Sequence, residues 1–367
     1  MLAAMLLVAS CSSGSGRQDV DAGAPRSTRA PISAEEVSVR SRFAAALTTD
    51  GTDLMVVDGA DATGRASAFV VRPDGTVAEH ALADVALAEP IAWWDGTQYV
   101  VAGLPCPGWQ GQLPPDDGFF SEFCHTTAFQ VYGLDPATGK VRALGEVDGS
   151  EHGFLNLGPV NGSVALLSRP PGYSPVRVDT AGQEALTATE VDLVAPGGIG
   201  VCALGDGFVV IDTSSLSTDS LTTYQLGSRS TTWDKEQVPI NGVDAPEGLY
   251  FGGCQGGNAI VQIRKSPRDI GYLSLSLTDP KAPVRQFDLP GLTPLASLGT
   301  ISDTPVAMTS FASPVHFRVD RIIEDRVEPL VDLPGVLETP MMIALTKTSF
   351  AYFPPSEDRV RLQIVIL

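Results

Sequence analysis

A pair of strands joined by a tight turn recurs seven times along this chain of 367 residues. In each copy a short apolar strand ends at a turn dipeptide, and a second, more apolar strand follows it. The clearest copies turn at Asp50-Gly51, Asp95-Gly96, Asn161-Gly162 and Asp206-Gly207. Weaker copies turn at Gly256-Gly257, Ser302-Asp303 and Lys347-Thr348. Dipeptides of the Asn-Gly and Asp-Gly type accept the positive φ angles of tight hairpins, so the pattern predicts a repeat protein made of β-hairpins.

The spacing of these turns sets the size of the repeat. The second turn residues are separated by 45, 66, 45, 50, 46 and 45 residues, and the long interval contains the segment between Cys106 and Cys124. Further turns lie about 20 to 24 residues after five of the first ones, if the insertion is discounted. They are Asp74-Gly75, Asp135 to Gly139, Asp179 to Gly182, Asp279 to Lys281 and Glu324 to Arg326. Two turns per period of about 45 residues indicate four strands, which is the size of a propeller blade.

We therefore predict an all-β fold, a seven-bladed β-propeller with four-stranded blades over residues 33–367 and an insertion at 105–125. The last copy has three strands, the final one alternating through Val360, Leu362, Ile364 and Ile366. The stretch from Glu35 to Arg40 also alternates as a strand does. We predict that this N-terminal strand completes the seventh blade, which closes the ring and covers a free sheet edge.

One turn also carries a family resemblance. The segment from Val131 to Val141 reads Val-Tyr-Gly-Leu-Asp-Pro-Ala-Thr-Gly-Lys-Val. It resembles the quinoprotein-type propeller repeat, whose turn commonly reads Asp-x-x-Thr-Gly-Lys. The resemblance implies the quinoprotein-like and WD40-like propeller superfamily. Quinone-dependent dehydrogenases carry adjacent cysteines and a repeated Trp motif, which this sequence lacks, so we expect no cofactor and expect Trp93, Trp94 and Trp233 to pack between blades.

The N-terminus has the features of an export signal. Apolar residues run from Met1 to Ala9, too few to span a bilayer, and the motif Val8-Ala9-Ser10-Cys11 resembles the lipobox of bacterial lipoproteins. That resemblance implies a signal peptide at 1–10, acyl chains on Cys11 and a flexible tether at 11–32. Ser12 implies, by resemblance to enterobacterial lipoproteins, the outer membrane. No Lys or Arg precedes the apolar run, so we expect translation to start upstream.

Net charge limits the class of partner. Asp and Glu number 43 against 24 Lys and Arg, which gives a net charge of −19. A protein that binds phosphate backbones generally needs a basic face, so we expect no nucleic-acid partner. Acidity also helps to keep an exported all-β ring soluble and monomeric.

Four cysteines follow Cys11, and an even number in an exported chain favours disulfides. Cys106 and Cys124 bracket the insertion, while Cys202 and Cys254 lie near the ends of first strands in consecutive repeats. We predict the pairs Cys106–Cys124 and Cys202–Cys254. Closing the first loop is worth roughly 3 kcal/mol in the chain-entropy model. A zinc site is the weaker alternative, because no Cys-x-x-Cys spacing occurs.

The insertion also contains four aromatic residues, Trp109, Phe119, Phe120 and Phe123. Held in a disulfide-closed loop, they are candidates for a partner-binding surface. The alternative is that they fold back and cap the neighbouring blades.

Catalytic signatures are absent from the sequence: there is no His-Glu-x-x-His, Gly-x-Ser-x-Gly or phosphate-binding Gly-Lys-Ser/Thr motif. The four histidines, His80, His125, His152 and His316, are scattered over different repeats. Asp116-Asp117 and the Asp-rich segment 58–61 lack the spacing of a calcium loop, and turn aspartates usually cap their own backbone. We expect no metal.

The sequence thus favours a lipid-anchored, non-catalytic propeller that binds a protein or polysaccharide in the cell envelope. The alternative is a glycan hydrolase or lyase on the same fold, which requires two or three carboxylates about 5–10 Å apart in the channel. Glu79, Glu151 and Glu247 are candidates for that role only by elimination.

Overall fold

The computed structural model describes residues 32–39, 44–112, 120–148, 155–160, 164–169, 174–180, 185–190, 199–204, 207–212, 220–226, 234–239, 248–255, 258–266, 269–279, 281–287, 293–301, 304–312, 315–323, 326–333, 342–346, 349–353 and 360–366. Most of these residues belong to β-strands. Cys11, residues 12–31 of the tether, Phe119 and Trp233 lie outside the described residues, and Ile32 belongs to a strand.

Strands of three to nine residues follow one another along the described chain. The first fourteen are β1 (Ile32–Val39), β2 (Ala45–Thr49), β3 (Leu54–Asp58), β4 (Ala66–Val71), β5 (Val77–Ala83), β6 (Leu87–Trp94), β7 (Tyr99–Pro105), β8 (Ala128–Leu134), β9 (Val141–Asp148), β10 (Leu155–Val160), β11 (Val164–Arg169), β12 (Ser174–Asp179), β13 (Thr187–Glu190) and β14 (Ile199–Leu204). The others are β15 (Gly207–Asp212), β16 (Ser220–Leu226), β17 (Asp234–Pro239), β18 (Gly248–Gln255), β19 (Asn258–Ser266), β20 (Asp269–Ser276), β21 (Arg285–Phe287), β22 (Thr293–Ile301), β23 (Thr304–Ala312), β24 (Val315–Ile323), β25 (Arg326–Leu333), β26 (Met342–Leu345), β27 (Ser349–Phe353) and β28 (Val360–Ile366).

A short helix, α1 (Phe120–Phe123), lies between β7 and β8. Across the described ranges, we find no helix with the length and apolar character needed to cross a bilayer.

The described strands form seven antiparallel sheets of four strands each. Sheets 1 to 6 each use four consecutive strands in chain order: β2–β5, β6–β9, β10–β13, β14–β17, β18–β21 and β22–β25. The seven first turns expected from the sequence fall between the first and second strands of the sheets, and the five further turns fall between third and fourth strands. The local turn signals therefore located these hairpins correctly.

Sheet 7 combines the two ends of the described chain. Its strand order is β1-β28-β27-β26, so the N-terminal strand pairs with the last one. Ile32 lies opposite Ile364 and Val39 lies opposite Val360. The strand expected near Glu35 to Arg40 is thus present in β1, and it is paired with the partner that the sequence predicts.

One strand of each sheet contacts its counterparts in two other sheets. These central strands are β2, β6, β10, β14, β18, β22 and β26. Each contacts the next one along the chain, and β26 contacts β2. In sheets 1 to 6 the fourth strand lies at the opposite edge.

The apolar core lies between neighbouring sheets. Met55 and Val57 of sheet 1 pack in one buried cluster with Val101 of sheet 2. Likewise, Ile211 of sheet 4 shares a cluster with Val261 of sheet 5. Side chains alternate along a strand, so a blade buried on both faces packs against one neighbour on each side.

Candidate functional site

The insertion predicted at 105–125 joins β7 to β8 and is closed by a disulfide between Cys106 and Cys124. The Sγ atoms are 2.03 Å apart and the Cα atoms 4.6 Å apart. Cys106 follows β7 directly, and Cys124 follows the last residue of α1. This is the pair predicted from the sequence.

Two of the four aromatic residues in the insertion point into the protein. Trp109 is 1% exposed and Phe120 is 5% exposed. Their ring centroids are 5.2 Å apart at an interplanar angle of 76°, an edge-to-face contact. The Trp109 Nε1–H donates a hydrogen bond of 2.6 Å to the carbonyl oxygen of Gln112, so its polar atom is satisfied as well.

Both rings belong to the apolar cluster that joins sheet 2 to sheet 3. That cluster also contains Trp93 of β6 and Val178 of β12, and the partly buried Phe123 packs against it. Of the two alternatives that the sequence leaves open, Trp109 and Phe120 follow the second, because both rings are buried in this cluster. Phe119 lies outside the described residues, and a role in partner binding stays a prediction for it.

A buried polar network links the first turn of sheet 2 to sheet 3. Asp95 is 1% exposed, and one carboxylate oxygen accepts hydrogen bonds from the backbone of Thr97 and Gln98 and from the Thr97 hydroxyl, at 2.8–2.9 Å. The other oxygen accepts hydrogen bonds from the Gln98 side chain at 3.0 Å and from the Thr180 hydroxyl at 2.9 Å. Five hydrogen bonds therefore satisfy the buried carboxylate of Asp95.

The same network constrains its surroundings. The Gln98 side-chain amide also donates to the backbone oxygen of Thr180 at 3.0 Å, and its carbonyl accepts a 3.1 Å hydrogen bond from Arg142. A Cβ atom on Gly133 would stand 2.3 Å from the Gln98 side-chain oxygen. The absence of a side chain at Gly133 in β8 therefore leaves the space that the Gln98 side chain occupies.

Other turn aspartates cap their own backbone. The Asp61 carboxylate accepts hydrogen bonds from the backbone of Thr63 and Arg65 at 2.6 and 3.0 Å. Burial acts to raise the pKa of Asp61, but these hydrogen bonds, with that from the Thr63 hydroxyl, hold it below its ordinary value. At Asp135, in the turn that resembles quinoprotein repeats, the hydrogen bond from the Thr138 side chain lowers the pKa in the same way.

Of the three candidate acid–base carboxylates, the structure describes Glu79 alone. Glu79 is exposed on β5, at the edge of sheet 1 opposite the central strand. Glu151 and Glu247 lie outside the described residues. His80 in β5 lies against the turn at Gly139, His125 is exposed after α1, and His316 is in β24. Within the described ranges no three His, Cys, Asp or Glu side chains are grouped as metal ligands would be.

The remaining cysteines lie on central strands of consecutive sheets. Cys202 is in β14 and Cys254 is in β18, and these two strands contact each other. The disulfide between them stays a prediction, as does acylation of Cys11.

Comparisons with known proteins identify the fold. No protein-family model matches the chain, and no curated protein matches it in sequence. Among solved structures it is similar to the β-propeller domain of Swd1 from Myceliophteria thermophila, at 14% identity over 92% of this chain and 99% of that one, with a TM-score of 0.54. It is also similar to the β-propeller domain of the Trilobed protease from Pyrococcus furiosus, at 10% identity over 89% and 95% of the two chains, with a TM-score of 0.51.

A third similar structure is an oligogalacturonate lyase in complex with manganese, at 12% identity over 89% and 90% of the two chains, with a TM-score of 0.54. The chain has the fold of a β-propeller. Other similar structures are an acylaminoacyl peptidase from Pyrococcus horikoshii and a chain of a mitotic checkpoint complex. At these identities the likeness concerns the fold alone.

Proposed function

We propose that the chain is a seven-bladed β-propeller with a closed ring, held at the cell envelope by acyl chains on Cys11. There it binds a protein or polysaccharide partner without catalysing a reaction. The blade count is supported by the seven four-stranded sheets among the described residues. Closure is supported by the contact of β26 with β2 and by the pairing of β1 with β28.

The observation that carries this proposal is the position of β1. It begins at Ile32, where the Ser-, Gly- and Pro-containing segment 12–31 ends, and it forms an integral strand of sheet 7. A lipid on Cys11 would therefore hold the whole ring through a flexible segment of some twenty residues. A chain of that length has a root-mean-square span of about 25 Å, enough to present the propeller to partners near the membrane surface.

Membrane anchoring is tested with a Cys11→Ser variant of the full chain. The wild-type protein is expected in the membrane fraction and to incorporate an alkyne-labelled fatty acid. The variant is expected in the soluble fraction without label, because it lacks the proposed acyl attachment site. Equal fractionation of both proteins, or label in the variant, would contradict the lipid anchor.

Partner binding is tested by cross-linking in intact envelopes that contain the lipidated chain, together with co-sedimentation of the purified protein with isolated envelope polysaccharide. We expect one reproducible cross-linked protein or saturable sedimentation with the polysaccharide. Reproducible failure of both experiments would overturn the binding role.

A further inference from the structure

A β-bulge interrupts the central strand β6. The strand has one residue more than β7 at this point, so Glu89 and Pro90 together lie opposite Gly103. A Cβ atom on Gly103 would stand 2.9 Å from the Cβ of Leu87, which makes glycine the residue that fits opposite the bulge. Bulges re-aim a side chain that regular alternation would have directed elsewhere.

The bulge displaces Glu89 from the core. Its φ is 47°, in the left-handed region that a residue with a Cβ rarely adopts. Its neighbours Ala88 and Pro90 are buried while the Glu89 side chain is exposed. A regular strand would have turned one residue of this stretch toward sheet 1, where Leu87 and Ala92 pack. The strained backbone instead keeps an acidic side chain in solvent.

The displaced side chain lies on the inner edge of the sheet. β6 pairs with β7 on one side, and β6 also contacts the central strands β2 and β10 of the two adjacent sheets. In the ring proposed above, the free edges of the central strands surround the central opening. Glu89 therefore lies beside that opening, and Glu79, on β5, lies at the outer edge of sheet 1.

The carboxylate of Glu89 makes no polar contact with the described residues. None of the described residues forms a hydrogen bond or an ion pair with its side chain. The side chain is exposed, yet enough protein surrounds it that desolvation raises the pKa of its carboxyl group. Both properties fit a group in a recess that is open to solvent on one side. A partly desolvated carboxylate without a partner gains most from a ligand that brings a positive charge.

We propose that Glu89 binds the ammonium or guanidinium group of a Lys or Arg side chain that a protein partner inserts into the central opening. This inference rests on the proposed binding function and names its chemistry. The net charge of −19 favours the same partner, because it attracts cationic ligands over long distances and repels acidic polysaccharides. A neutral glycan is the competing ligand, and the experiment distinguishes it.

The test uses the full chain carrying Cys11→Ser, and calorimetry at low and physiological salt with tetralysine, acetylated tetralysine and chitotetraose as probes. Glu89→Gln is compared with Glu79→Gln, which removes the same charge at the outer edge of a sheet. We expect tetralysine to bind about tenfold more weakly to the Glu89→Gln protein. The Glu79→Gln protein should change by less than about twofold, and acetylated tetralysine should not bind.

Equal losses in the two variants would reduce the effect to general surface charge and overturn the site. Absence of tetralysine binding to the parent protein would also overturn it, as would binding of chitotetraose that depends on Glu89. Because Glu89→Gln removes a partly desolvated charge, its urea unfolding midpoint should equal or exceed that of the parent. A lower midpoint would assign Glu89 a structural role instead. Cross-linking of a partner in envelopes is scored separately, so failure here leaves the binding function standing.

Discussion

Asp95 shows how a single turn residue joins two blades. Its carboxylate caps the turn between β6 and β7 and also accepts the hydroxyl hydrogen bond of Thr180, which follows β12 in the next sheet. Burying a charge costs free energy unless every lone pair finds a donor. At Asp95 both oxygens do, so the burial stabilises one relative position of the two sheets.

Replacing Asp95 with Asn should therefore destabilise the protein. The new amide group would present hydrogens to donors that now meet an oxygen, and at least one buried group would lose its partner. We expect the free energy of unfolding to fall by about 2–4 kcal/mol, measured by urea denaturation.

Asp74→Asn is the matched control. Asp74 begins a second tripeptide of identical sequence, Asp-Gly-Thr, and accepts a hydrogen bond from the backbone of Thr76 in an exposed position. A much smaller loss is expected there. Similar losses in the two variants would show that the network to Thr180 adds nothing beyond local capping.

Asp74 and Asp95 also show which property of a single residue the sequence does not predict. Asp50-Gly51-Thr52, Asp74-Gly75-Thr76 and Asp95-Gly96-Thr97 read alike, and each predicts a tight turn correctly. Only Asp95 among these three aspartates is buried. Its second partner, Thr180, lies 85 residues further along the chain, so the local sequence does not reveal this contact. Glu89 is a similar case: its bulge depends on the fit of β6 against Gly103, which no local pattern announces.

Among the elements, the insertion behaves as a packing element. Its disulfide holds the segment around Trp109 near α1, and the indole ring enters the cluster shared by sheets 2 and 3. The cysteine spacing predicted the disulfide correctly, because a closed loop needs only two nearby thiols. The sequence does not determine whether the aromatic rings point outward or inward, because exposed and buried aromatic loops have the same composition.

Trp109→Ala should lower the free energy of unfolding by about 3–5 kcal/mol, because it leaves a cavity in a buried apolar cluster. Gln110→Ala is the control, since Gln110 is exposed beside it, and a change within about 0.5 kcal/mol is expected. Urea denaturation of both variants measures the difference. Comparable stability of the Trp109→Ala protein and the parent would contradict the packing role of the indole.

At the scale of the whole molecule, sheet 7 is the part that depends on both ends of the described chain. Without β1, the edge of β28 would be left unpaired, with free backbone groups that can recruit another chain. The repeat spacing predicted the missing fourth strand because the last copy lacked one, and the alternation near Glu35 supplied it.

Deleting residues 32–39 should therefore lower the onset of thermal aggregation by roughly 10 °C, followed by light scattering. Deleting 12–31 instead removes a longer piece of chain and keeps β1, so it should leave the onset unchanged. If both deletions gave the same onset as the full chain, β1 would be dispensable for the fold.

The pairing of Ile32 with Ile364 also determines when sheet 7 can form during synthesis. A ribosome makes β1 before its partner β28, so this pairing must wait until residues 360–366 have been synthesised. Contacts between residues so far apart form slowly. Until then β1 is an unattached strand that proteases can reach. A chain cut short before β28 would leave β1 without its pairing partner and therefore open to proteolysis.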